Sequence, residues 1–306
     1  MKQKHRIVYM GTPTYAEEIL RTLIEADDMD VVLVVTQPDR PVGRKKILTP
    51  PPVKVLAGQH DIAVVQPNRL SDEGVTERIV SAAPDFIVVA AFGQLLPSQT
   101  LRIAPCINLH ASLLPRYRGA SPIQHALLNG DTLTGVTSML MDEGLDTGAI
   151  LLKRERPIDP EIGLKALTAQ LTEDACALTL ETLRRFETIE PVPQNEAEAT
   201  HCKKIRKSDG EVDGSDAMAL YNRYRAFEGW PGVFVANGTK LDAITLVART
   251  GTHKPFEILA IEADAVEVGC QRGAVRIGTL QPPSKKPMSA RAYCVGRGLR
   301  VGDRLV

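Results

Sequence analysis

Asn108 and His110 sit two residues apart in an apolar run, CINLH, that reads as a strand. Successive side chains of a strand point to opposite faces, so these two project to the same side. An amide and an imidazole placed together can donate hydrogen bonds to one oxygen, or the imidazole can take a proton. A third candidate, Asp146, lies with Asp142 and Glu143 in a Gly-rich acidic loop, DEGLDTG. The set suits transfer of an acyl or similar group to an amine without a covalent enzyme intermediate. In that chemistry Asn donates to a developing oxyanion, His takes the amine's proton and Asp tunes the His. Two blander readings stay open: a buried histidine satisfied by hydrogen bonds, and an acidic loop that is only turn chemistry.

Other chemistries lack their signatures. The chain has no H-E-x-x-H, and His110 and His125 are not spaced as ligands on one element. No G-x-S-x-G surrounds Ser112 or Ser121, and no GK[ST] phosphate loop occurs. The first turn, GTPTYA, lacks the G-x-G-x-x-G pattern of dinucleotide binding.

The elements that must position the Asn-His pair read as a βαβ succession. Strands are expected over 6–10, 30–36, 63–65 and 85–91, with helices over 15–26, 53–60 and 72–81. Such alternation implies an open, mostly parallel, Rossmann-like sheet flanked by helices, an α/β fold. Ligands of these sheets bind at the carboxyl ends of strands. CINLH ends in such a place, followed by a stretch stiffened by Pro115, Gly119 and Pro122, the last opening a helix over 122–129. FGQLLP at 92–97 follows another strand end, and its Gly93 permits close backbone approach or merely makes the turn. Strands over 134–141 and 149–156 flank the acidic loop, and an amphipathic helix over 162–186 closes the domain.

Residues 190–200, EPVPQNEAEAT, are Pro-rich, acidic and without apolar period, which is linker composition. Beyond 208 a short helix over 216–225 is followed by short strands, with Asn237-Gly238 as a hairpin signal. This reads as a small OB-like β-barrel, an architecture that often binds nucleic acid. The expected division is a catalytic domain over 1–189, a linker over 190–207 and a barrel over 208–306.

The 306 residues can bury a sizeable core, and 37 Lys+Arg balance 37 Asp+Glu. The balance is uneven: 201–306 carry 17 basic against 11 acidic residues, which suits an anionic partner. Five scattered cysteines give no disulfide or zinc pattern, pointing to a reducing compartment. With no signal core and no long apolar run, a cytoplasmic chain is expected, with no membrane contact. The loop over 37–52, QPDRPVGRKKILTPPP, either projects Arg44, Lys45 and Lys46 toward phosphates or is a solvated surface loop.

Asn108-Leu-His-Ala-Ser-Leu-Leu-Pro115, then Arg116-Tyr-Arg-Gly119 and Pro122-Ile-Gln124, resemble the core motif of the folate-dependent formyltransferases. MDEGLDTG at 141–148 resembles their second motif. QPDRP, PPPVKVLA, FGQLLP, RAFEGWPG and LQPPSKKPMSA resemble the branch acting on initiator Met-tRNA, in the right order along the whole chain. The resemblance implies transfer of formyl from 10-formyltetrahydrofolate to the amino group of methionine on initiator Met-tRNA; beside it, no metal and a monomer are expected. It implies Asn108, His110 and Asp146 as the catalytic trio, with His110 either base or oxyanion donor. It implies folate contacts at Ser112, Leu113, Leu114 and Pro115, with Phe92, Gly93, Leu95 and Leu96 beside them. For tRNA it implies the arm basics Arg44 and Lys46, and Lys45 of the same basic cluster is expected to join them. Lys203, Lys204 and Lys207, with Lys285 and Lys286, could follow the RNA backbone by counterion release. The chain departs from the family pattern at Lys45 and Ile47 in the arm, and at Gly214, where the family has Trp.

Overall fold

A computed structural model describes residues 4–43 and 45–306, so Arg44 lies outside the described residues. The chain divides into two compact units. One comprises the described residues up to Pro122 together with Leu133–Pro157 and Leu167–Lys203; the other comprises Ile123–Thr132, Ile158–Ala166 and Lys204–Val306.

The first unit is built on a seven-stranded sheet. Its order is Ile150–Pro157, Leu133–Leu140, Cys106–His110, Phe86–Ala90, His5–Gly11, Met29–Val35, Val64–Val65. Neighbours from Cys106–His110 to Val64–Val65 run parallel, and the two strands at the other edge pair antiparallel. This is the expected α/β sheet. Strand Phe86–Ala90 at its centre is apolar and buried along its whole length because both faces are covered, and beside it Ile7, Val8, Tyr9 and Met10 are fully buried. Helix Thr14–Glu25 buries Ala16, Ile19, Leu20 and Leu23, one stripe at helical spacing. Each of its larger side chains contributes about 1.5–3 kcal/mol by leaving water. Helix Leu164–Arg185 buries Leu167, Leu171, Ala175 and Leu178 in the same manner. It also buries Asp174, which the apolar pattern does not anticipate; Arg156 donates to both its oxygens at 2.7 Å.

Local differences from the sequence reading have local causes. The helix expected from 72 starts at Val75, because Gly74 takes a left-handed φ of 79° that no helix accommodates. The arm over 37–52 contains a small hairpin, Arg40–Val42 paired antiparallel with Ile47–Thr49. Val42, Ile47 and Leu48 are exposed on it.

In the second unit the sheet order is Val233–Phe234, Lys240–Ala248, Ala274–Gln281, Val266–Gly269, Glu257–Ile261, with Met288–Ser289 also pairing Ala274–Gln281. All these pairs are antiparallel, and Ile244, Ile258, Val266, Val275 and Ile277 form the core beneath them. The unit is strand-rich as expected. Asn237-Gly238 does mark a hairpin between Val233–Phe234 and Lys240–Ala248, with Gly238 at φ 82°. Helix Ala290–Arg297 was not legible from apolar period. Its ends carry the signal instead: Ser289 Oγ accepts from Ala292 N at 3.1 Å, and Gly298 takes φ 66° just past the end. The departure at Gly214 also has a physical reason. The residue sits at φ 74°, and a Cβ there would lie 3.0 Å from the Phe256 ring.

Candidate active site

The Cys106–His110 strand lies between Phe86–Ala90, parallel, and Leu133–Leu140, antiparallel. Register sets Asn108 opposite Val89 on one side and Met139 on the other, and His110 opposite Thr137. Both side chains therefore emerge on one face at the strand's carboxyl end. They are 8% and 6% exposed, dry enough to strengthen electrostatics yet open to a ligand.

The structure brings Asp146 to this pair. Asn108 Nδ2 donates to Asp146 Oδ1 at 3.3 Å, and Asp146 Oδ2 lies 3.8 Å from His110 Nδ1. His110 Nε2 is 2.8 Å from the Tyr117 carbonyl oxygen. A carbonyl only accepts, so Nε2 carries a hydrogen. The other ring nitrogen, Nδ1, faces the carboxylate across a gap too long for a hydrogen bond.

Asp146 is held from several sides. Gly119 N donates to its Oδ2 at 2.8 Å. Gly119 must be glycine: its φ is 113°, and a Cβ would lie 2.5 Å from the Cys202 carbonyl oxygen. That close approach arises because Arg118–Gly119 pairs in parallel with His201–Cys202. The Cys202 thiol donates to the Tyr117 carbonyl at 3.4 Å, and Ser121 N donates to its sulfur at 3.3 Å. Burial is the main reason that this thiol's pKa is raised, so it stays protonated and serves as a donor. Gln194 and Arg118 also bond around the loop; the composition of 190–200 gave no sign of it.

Of the residues associated with folate, Phe92 and Leu96 are buried among Val8, Leu33, Val89 and Cys106. Leu114 is fully buried, with its N–H donating to Thr137 Oγ1 at 3.1 Å, and Pro115 is buried beside it. Ser112 is buried too, and its Oγ donates to the Arg116 carbonyl at 2.6 Å. Leu113 is half-buried and Leu95 is exposed. Gly93 has φ 83° with open space where a Cβ would point. The residues associated with tRNA, Lys45, Lys46, Lys203, Lys204, Lys207, Lys285 and Lys286, are all exposed. Lys45 and Lys46 lie in the turn of the arm's hairpin. Among the described residues no group of three or more His, Cys, Asp and Glu could hold a metal ion. None of the described helices is long and apolar enough to cross a membrane.

Residues 5–183 match the model of the family described as formyl transferase, and 204–298 match that of the formyl transferase C-terminal domain. The chain belongs to the formyl transferase family. Among similar proteins of this formyl transferase, the methionyl-tRNA formyltransferase of Sulfurovum sp. is 65% identical over 99% of this chain and 100% of its own. That of Nitratiruptor sp. is 54% identical over 97% and 99%. Among solved structures, HypX from Aquifex aeolicus in complex with tetrahydrofolic acid gives a TM-score of 0.61 at 19% identity. It covers 96% of this chain and 47% of HypX. WlaRD, a sugar 3N-formyl transferase, gives 0.66 at 17% identity, covering 93% of this chain and 100% of that one. At such identities these structures speak for the fold alone.

Proposed function

We infer that this formyl transferase moves the formyl group of 10-formyltetrahydrofolate to the amino group of methionine on initiator Met-tRNA. The observation that carries the transfer chemistry is the convergence of Asn108, His110 and Asp146 at one strand end, with the Asp146 carboxylate 3.3 Å from Asn108 Nδ2 and 3.8 Å from His110 Nδ1. The Met-tRNA acceptor is supported by the full-length similarity to methionyl-tRNA formyltransferases.

The donor fits the residues present. Gly93 leaves open space at a strand end, Leu95 and the part-buried Leu113 offer apolar surface, and Asn108 keeps one amide hydrogen beyond the one given to Asp146. Buried Phe92, Leu96, Ser112, Leu114 and Pro115 shape the backbone around that surface. The donor supplies a formyl carbon open to attack by an amine.

In the mechanism we propose, Asn108 gives its free N–H to the formyl oxygen as negative charge builds there. A well-aimed donor of this kind contributes about 2.7–4 kcal/mol. His110 has its Nε2 hydrogen committed to the Tyr117 carbonyl, so its Nδ1 takes the proton lost by the attacking amine. Protonation there places the imidazolium 3.8 Å from the Asp146 carboxylate, an opposite charge at close range. The same nitrogen can return the proton to the departing amine of the donor. Asp146 thus orients Asn108 and stabilises charged His110. The lysines of the arm, of 203–207 and of 285–286, with Arg44, bind RNA phosphates. We place the protein in the cytoplasm, acting as a monomer.

The test is an assay with formyl-labelled donor, offered initiator Met-tRNA, elongator Met-tRNA and an amino-sugar nucleotide. Label on initiator Met-tRNA alone is the expected outcome. Label on the sugar, or released only as formate, overturns the acceptor reading and leaves the Asn-His-Asp chemistry standing.

A further inference from the structure

The Pro-rich acidic segment over 190–200 has the composition of a free connector, yet it is fastened to the loop that carries Asp146. Val192 and Ile150 exchange two backbone hydrogen bonds of 2.8 Å. Two residues on, Gln194 commits its whole amide group. Its Nε2 donates to the Asp146 carbonyl at 2.9 Å and to the Gly148 carbonyl at 2.7 Å. Its Oε1 accepts from Arg118 Nε at 3.0 Å. Arg118, 1% exposed, turns its remaining nitrogens to Glu196 at 2.9 and 2.7 Å. Farther on, Thr200 Oγ1 accepts from Tyr117 N at 2.8 Å, so the same segment also grips the residue whose carbonyl fixes the His110 ring.

Asp146 needs such holding. Its φ of 55° is in the left-handed region that residues with a Cβ rarely adopt. Gly119 N fixes one carboxylate oxygen, and Gln194 holds the backbone on both sides of the bend, at 146 and 148. A two-donor planar amide spans two carbonyls in one plane, and the Arg118 fork stops that amide from turning over, because Nε can only donate to Oε1.

We propose that Gln194, braced by Arg118, is a positioning residue for formyl transfer: it sets the Asp146 loop so that the carboxylate meets Asn108 and His110. The inference rests on the reading of Asp146 as a member of the reacting trio. Gln194 touches no reacting atom, and its effect passes entirely through Asp146. A purely architectural role for the same bonds would show as lost stability with the chemistry intact.

The experiment is a kinetic double-mutant cycle on the full chain, with Gln194→Leu, Asp146→Asn and the double variant, using initiator Met-tRNA and 10-formyltetrahydrofolate. Gln194→Leu keeps the approximate shape and loses both donors and the acceptor. It is expected to lower kcat by about 10-fold to 100-fold, the scale of a small misplacement of a reacting group. KM for either substrate should move less than about twofold, since ground-state binding is not what is lost. In the Asp146→Asn background the same change should cost less than about twofold, because the residue it acts through has already been altered. Wild-type kcat in Gln194→Leu, or an equal fold-loss in both backgrounds, overturns the proposal while a lost Asp146→Asn activity keeps the trio. Wild-type turnover in Asp146→Asn removes the trio reading and the proposal with it. If Gln194→Leu does not fold, Arg118→Lys gives a second arm. It keeps a charge for Glu196 but cannot reach Gln194 at the same time, so kcat should fall with KM unchanged. Full kcat there overturns the proposal equally.

Discussion

The end of the Cys106–His110 strand and the exposed lysines do opposite things with polar groups. At the strand end a carboxylate, an amide and an imidazole are nearly dry, and each is oriented by a bond from another part of the chain: Gly119 N, Asp146 Oδ1 and the Tyr117 carbonyl. Lys45, Lys46, Lys203, Lys204, Lys207, Lys285 and Lys286 are exposed, and among the described residues none makes an ion pair. Their long side chains keep rotamer freedom and full hydration. The first region works by position, so one atom out of place is costly. The second works by number of charges, so any one member is replaceable. Function measured as turnover should follow the first, and function measured as affinity for RNA should follow the second.

The largest separation is expected for His110→Ala. Removal of the proton acceptor should lower kcat by about 10²-fold to 10⁴-fold. RNA affinity should stay at the wild-type value; a matching loss of affinity would merge the two regions. Asp174 tests whether burial alone, without chemistry, has the same consequence. Asp174→Ala removes the buried carboxylate to which Arg156 Nε and Nη2 donate, and should destabilise the fold by about 1–3 kcal/mol in denaturant titration. Turnover per folded molecule should not change. A smaller effect is expected at the lysines: Lys285→Ala should weaken RNA binding a few-fold and reduce the slope of log K against log salt by about 1. An unchanged slope would strike that lysine from the RNA surface.

The smallest effect concerns pH. The Arg118 guanidinium holds the Glu196 carboxyl below its ordinary value of 4.5. A depressed carboxyl pKa gives stability that is present above about pH 4.5 and is lost as pH falls through the lower folded value. The difference in Tm between wild type and Glu196→Gln should therefore be greatest above that pH and shrink below it. A constant difference would separate Glu196 from the Arg118 brace. Because Glu196 is exposed, solvent screens the pair and the shift should be slight.

How much of this was legible in the sequence depends on the range of the interaction. Asn108 and His110 share a face because of strand period, and the sheet around them follows from alternating apolar runs; both are local rules. The approach of Asp146 is not local. It depends on a glycine 27 residues away and on a glutamine 48 residues away in a segment with the composition of a linker. Neither position carries a periodic signal, because each acts through a single bond rather than a buried face. Asp174 escaped for the same reason: its partner Arg156 is on another element, and an apolar pattern has no symbol for a carboxylate paired from outside. Helix Ala290–Arg297 was carried by its caps, Ser289 and Gly298, rather than by its interior. The lysines were legible as charges and as nothing more, since exposed charge has no register.

The most direct test of the central claim is single-turnover formyl transfer by Asn108→Ala at saturating donor, alongside filter binding of initiator Met-tRNA at two salt concentrations. The account predicts a transfer rate lower by about 10²-fold to 10³-fold, with binding and its salt dependence unchanged. A wild-type transfer rate, or a rate that falls only in step with weakened RNA binding, would contradict it.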